Sequence, residues 1–302
     1  MTGGIGAVAG GVSGSTATVA LSLASAAIWG TSDFVGGIAA RRLPSPAVVT
    51  LSHSLSLALL ISLALVHGST WPDTKSAVYG ALAGVACGTG VMVLYKALAL
   101  GGMGLTAAVS GVLAAVMPVI WAFATEGLPR APQLAGIVLA GVAIWMIASA
   151  PGSPSSKQAI LLGAAAGGSF GCLYIFLKLA GRGGVLWPLA CSRMASTTLA
   201  AAVTWIGMRR AGRAKIDSRA KLPWPGWAVL GLIAIAGVFD ASGNTFYTIA
   251  TRLGRLDIAA VLSSLYPAST ILLAAVLLKE RTTLSQAAGM ALALVAVVLI
   301  SV

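Results

Sequence analysis

The sequence predicts an all-α integral membrane protein of ten transmembrane helices arranged as two inverted five-helix repeats. Three observations carry that prediction. Of 302 residues, 58% are hydrophobic and only 9% are charged, against about 25% charged in a protein that faces water on every side. Apolar runs bounded by charge, Pro or Gly recur ten times, each near the ~20 residues needed to cross ~30 Å of hydrocarbon. Finally, the end of the first half is echoed at the end of the second.

Residues 1–16 are Gly-rich and uncharged. They read as a flexible N-terminal tail without the basic start of a cleavable signal. The first unit, 17–150, holds spans at 17–40, 46–67, 76–98, 103–125 and 131–150. A linker, 151–157, contains Gly-Ser-Pro-Ser-Ser and reads as a hinge. The second unit, 158–302, holds spans at 158–180, 184–207, 223–250, 257–278 and 284–302. Trp71, Trp187, Trp224 and Trp227 mark span edges, where an amphipathic ring suits the headgroup layer. Gly80, Gly84 and Gly88, and again Gly163, Gly167 and Gly171, place a bare stripe on one helical face, which lets backbones approach closely.

A net charge of +12 suits loops facing anionic headgroups, and no Lys/Arg-rich folded domain exists to carry a nucleic-acid site. Cys87, Cys172 and Cys191 are dispersed in apolar stretches and odd in number, which argues for small hydrophobes over a disulfide framework or a metal site. No phosphate loop, His-Glu-x-x-His or Gly-x-Ser-x-Gly motif is present, so no nucleotide, metal or other cofactor is expected.

Setting 133–149 over 286–302 matches Gln133 to Gln286 and Gly136 to Gly289, with eight of seventeen positions identical. A weaker echo sets 21–41 over 162–182, aligning Gly30 with Gly171 and Arg41 with Arg182. Duplicating a unit with an odd number of crossings forces its copies into opposite orientations, an arrangement that suits secondary transporters.

Residues 259–300 carry Ser264-Leu265-Tyr266-Pro267, a thirteen-residue step from Pro267 to Glu280-Arg281, then Gln286 and Gly289. This pattern resembles the EamA-type branch of the drug/metabolite transporter superfamily. In the first half the resemblance rests on residues 27–37 and on the segment from Glu126 to Gly136. The first half departs after Pro118, only eight residues before Glu126, so the two halves are expected to line the centre unequally. The resemblance implies both termini in the cytoplasm. The charge count points the other way: with Lys96 and Arg193 left aside, eleven basic residues fall in the loops that would be external and six in those that would be internal.

An ionisable group inside a span costs about 2.5–3.5 kcal/mol, so each needs a reason. Trp29, Ser32 and Asp33 share a face of the first span. Asp240, Asn244 and Tyr247 form a polar stripe on the eighth, Arg193 lies in the seventh beside Ser192 and Ser196, and His53 is deep in the second. Tyr95 and Lys96 near the end of the third, and Ser263, Tyr266 and Pro267 in the ninth, complete the candidate set. Asp33 and Asp240 are expected to bind substrate or titrate protons, with Arg193 as counter-charge or anion anchor. The plainer alternative is that one carboxylate pairs permanently with Arg193. His53 is read as a core histidine, and Glu280 as an interface pair.

The function expected is a secondary active transporter, not an enzyme. It would be multi-pass in the inner cell membrane, a monomer or homodimer, and would move a small metabolite, amino acid or drug-like molecule by alternating access, driven by protons or by exchange. The alternative is a membrane-embedded enzyme or lipid-handling protein that uses the same carboxylates.

Overall fold

The computed structural model describes residues 12–99, 103–148, 157–213, 226–277 and 283–301. Among these the chain is helical, with no strand. The helices are α1 (Val12–Ala40), α2 (Ser45–Val66), α3 (Thr74–Ala99), α4 (Met103–Glu126), α5 (Ala131–Ala148), α6 (Lys157–Ala180), α7 (Leu186–Arg213), α8 (Trp227–Leu253), α9 (Leu256–Ser263), α10 (Tyr266–Leu277) and α11 (Leu284–Ser301). A 3₁₀ turn, Gly181–Gly183, joins α6 to α7. Helix α1 begins inside the stretch expected as tail. Most of the expected linker, the basic residues 215–221, Trp224 and Glu280 lie outside the described residues.

Among the described residues, seven helical segments are long and apolar enough to cross a membrane: α1, α2, α3, α4, α6, α8 and the joined α9–α10. Helices α5 and α11 are shorter apolar helices, and α7 carries Arg193 within it and Arg209 and Arg210 near its end. The expected ninth span is broken. Ser264 closes α9 by donating its N–H to Ala260 O, and the Leu265 N–H turns back to Leu262 O before α10 starts. Pro267 therefore sits in the first turn of α10, where a missing N–H costs nothing.

Lipid offers no hydrophobic drive for helices to associate, so close packing and cross-helix hydrogen bonds must hold the bundle. Helix α1 packs on α8 and on α9–α10, α6 on α3 and α4, α7 on α2 and α3, and α5 on α11. The expected glycine stripes lie at these contacts. Gly80, Gly84 and Gly88 run along Pro188, Ser192 and Ser196 of α7, and Gly167 and Gly171 run along Ser110 and Met117 of α4. Gly237 of α8 meets Ser52 of α2 in the same way. Hydroxyls reach across to carbonyls: Ser25 to Gly243 at 2.9 Å and Ser56 to Gly237 at 2.5 Å. Leu51, Leu65, Val78, Ile120, Trp145 and Val298 point outward and are exposed, as lipid-facing positions require.

One end of the bundle is held by contacts between loops. Trp187 donates to Ser69 O at 2.8 Å and packs on Trp71 with ring centroids 5.0 Å apart. Glu126, at the end of α4, bridges Lys178 at 3.0 Å and accepts the Leu256 N–H at 3.1 Å. Arg255 donates to Gly127 O at 2.5 Å while forked on Asp257. The fork and its charge keep the Arg255 guanidinium more firmly protonated than usual.

Candidate functional site

At the centre of the bundle, helices from both halves of the chain surround a small cavity. Trp29 and Asp33 reach it from α1, one turn apart, and Cys87 and Val91 from α3. Phe170, Leu173 and Tyr174 reach it from α6, Asp240 from α8, and Tyr266 from the start of α10. The break between α9 and α10 is what places Tyr266 there, its hydroxyl bonded to Ser110 at 2.8 Å.

Rings dominate the walls. Trp29 stacks on Tyr174 at 5.4 Å with only 9° between planes. Tyr174 stacks on Tyr247 at 4.6 Å, and Tyr247 tilts against Trp29 at 5.6 Å. Phe170 meets Tyr266 edge-on at 6.3 Å, an arrangement the ring quadrupoles favour. Gly90 and Gly243 make room for this layer, since a Cβ on them would lie 2.7 Å from Phe170 and 2.6 Å from Trp29.

The two carboxylates differ sharply. Asp240 is ion-paired with Nη1 of Arg193 and accepts from Asn244 Nδ2 at 3.0 Å. The same Nη1 lies 3.1 Å from His53 Nε2, and Nη2 lies 3.5 Å from Cys87 Sγ. A guanidinium has only donors, so His53 Nε2 accepts and its Nδ1–H faces Ser196 Oγ at 2.9 Å. His53, Cys87 and Asp240 bring three metal-ligating atoms within 4.8 Å of one another, yet all three already face the guanidinium. Asp33, by contrast, is only 9% exposed. Among the described residues none hydrogen-bonds or ion-pairs with it.

Of the residues singled out in the sequence, Trp29, Asp33, Asp240 and Tyr266 line the cavity. Arg193, Asn244 and Tyr247 stand directly behind it. Arg193 was expected as a counter-charge or an anion anchor; it is fully buried and committed to Asp240. Ser32 and Ser263 fasten α1 to its neighbours, donating to Ala236 O and Ser22 O. Tyr95 donates to Ser32 O at 3.4 Å, its ring over Gly36. Pro267 packs beside Gly111. Lys96 is exposed and points away from the cavity.

Cys87, Phe170 and Tyr174 are cavity residues that the sequence reading left among the core. A signal for two of them existed. In the alignment of 21–41 over 162–182, Phe170 stands opposite Trp29 and Tyr174 opposite Asp33.

Residues 157–302 match the EamA-like transporter family. No curated protein matches the chain. A solved structure, described only as the crystal structure of a protein, superposes with a TM-score of 0.73 at 16% identity, covering 94% of this chain and 98% of its own. At that identity the likeness is one of fold. The carrying stretch at 259–300 lies wholly inside the matched segment, and it is this segment, 157–302, that matches the EamA-like transporter family of the drug/metabolite transporter superfamily.

Proposed function

We propose that the protein is a secondary transporter that carries a small molecule across the inner cell membrane by alternating access. It would do so with ten crossings arranged as two inverted five-helix units, 17–150 and 158–302. The observation that carries this reading is Asp33: a buried, unpaired carboxylate on the wall of a central cavity to which both units contribute. An isolated charge in a low-dielectric site is expensive, so such a group has a reason to exist only if a ligand or a proton neutralises it in turn. Coupling to protons or to exchange follows from that requirement.

The inverted-repeat reading draws support from paired contacts. Gly84 of α3 lies on Ser192 of α7, and Gly237 of α8 lies on Ser52 of α2. Gly90 lies on Phe170, and Gly243 on Trp29. Exchanging α1 with α6, α2 with α7 and α3 with α8 turns each contact into its partner. The same exchange sets His53 against Arg193 and Cys87 against Asp240. The Gln133 and Gln286 segments then meet as α5 and α11. The enzyme alternative is not favoured, because the donors and acceptors of His53, Cys87 and Asp240 are taken up by Arg193 and Ser196.

The test is to find, by thermal stabilisation across a metabolite panel, a solute that binds, then follow its flux into proteoliposomes. Flux should respond to an imposed pH gradient or to solute on the far side, and Asp33→Asn should abolish it in correctly inserted protein. Absence of flux for every stabilising solute overturns the proposal.

A further inference from the structure

We infer that the cavity selects a small organic cation, a protonated amine or a quaternary ammonium on an apolar body, with Asp33 as its counter-charge. The inference rests on the transporter reading only for the direction of use; the binding chemistry stands on the site itself.

The sign of the charge decides the ligand class. The strongly ionising groups on the cavity wall are both carboxylates, Asp33 and Asp240. Among the described residues the cation beside it is Arg193, which has no exposure and spends its Nη1 on Asp240 and His53. The Arg193–Asp240 pair is neutral in sum, and Asp33 remains. An anion entering here would meet an unpaired negative charge, and the guanidinium behind the wall is already neutralised by Asp240. A cation would meet a counter-ion whose own burial has already been met in the fold.

The walls agree. Trp29, Phe170, Tyr174 and Tyr266 come from three helices, and a cation placed over the π-face of such rings gains about 0.5–2 kcal/mol, more when water is excluded. The same rings receive the apolar body. The cavity is small, which limits the cargo to a compact molecule.

The experiment uses the purified full chain in nanodiscs and three probes that share a ring: benzyltrimethylammonium, benzyl alcohol and benzoate. Titration calorimetry should give binding of the ammonium at least about tenfold tighter than of the alcohol, and none of benzoate. Asp33→Asn should erase that preference and Asp33→Glu should keep it. Equal binding of all three, a preference for benzoate, no binding of the ammonium at millimolar concentration, or a preference that survives Asp33→Asn each overturns the inference. If Asp33→Asn fails to fold, the wild-type ranking and the Glu variant still decide. Tight ammonium binding without flux in proteoliposomes supports the cation site and counts against the transporter reading. Flux of neutral or anionic solutes without ammonium preference does the reverse.

Discussion

Asp240 is paired with Arg193, whereas Asp33, on the wall of the same cavity, is ion-paired with no cation among the described residues. Two carboxylates that look equivalent as rare charges in apolar helices therefore have different work. Asp240, with Arg193, His53 and Asn244, fastens α8 to α7 and α2. Asp33 has no such partner among the described residues.

Breaking the pair should cost more than removing it. Arg193→Met or Asp240→Leu alone leaves one uncompensated buried charge and should destabilise by about 3–5 kcal/mol, whereas the double replacement should recover most of that. Thermal denaturation in detergent measures both. A double variant no more stable than the worse single one would refute the pairing as the source of the cost.

The glycine contacts predict a graded response. A Cβ at Gly84 would lie 2.8 Å or less from backbone atoms of Ser192, while one at Gly88 would stand 3.1–3.4 Å from Ser196. Gly84→Ala should therefore lose about 1–3 kcal/mol through forced backbone separation, and Gly88→Ala distinctly less. Melting temperatures of the two variants, compared side by side, check the order.

Glu126 ties three elements at the loop-held end, but its ion pair with Lys178 is about a fifth exposed on each side. Water and salt screen such a pair, so a double-mutant cycle of Glu126→Gln with Lys178→Ala should give a coupling of at most about 1 kcal/mol. That coupling should shrink in high salt. An undiminished value in 1 M salt would mean the pair is drier than its exposure shows.

At the start of α3, outside the spans, Asp73 caps the helix: its carboxylate accepts the Ser76 N–H at 3.1 Å and the Ser76 hydroxyl at 2.7 Å. These bonds hold its carboxyl below the ordinary carboxylate value. A lowered folded value means the cap contributes fully above the ordinary 3.8 and fades as pH falls through the lower folded value. Asp73→Ala should thus lower the melting temperature at pH 7, and the gap to wild type should narrow near pH 3. A gap unchanged by acid would show that the carboxylate is not the cap.

Much of this was legible in the sequence, for physical reasons that differ by residue. Helix positions followed from hydropathy, because lipid tolerates no unsatisfied backbone. Asp33, Trp29, Asp240 and Tyr266 were found because polarity is rare there, or because a motif marked the position. Phe170 and Tyr174 were not, since an aromatic side chain in an apolar helix has the same signature whether it faces a cavity or the core. Pairing with Arg193 was legible only as an alternative: which of two carboxylates meets it depends on helix rotations that one sequence does not encode visibly. Lys96 was misjudged by its neighbour. Adjacent residues on a helix point about 100° apart, so Tyr95 faces inward and Lys96 does not.

The glycine faces carry one more implication. Where Gly84 lies on Ser192 and Gly237 on Ser52, main chain lies directly against main chain. On the proposed alternating-access reading, such a surface would let one unit turn against the other once the bonds that cross it, Ser56 to Gly237 and the His53–Arg193–Asp240 network, give way. On that reading, substitutions along these tracks should slow turnover without weakening binding.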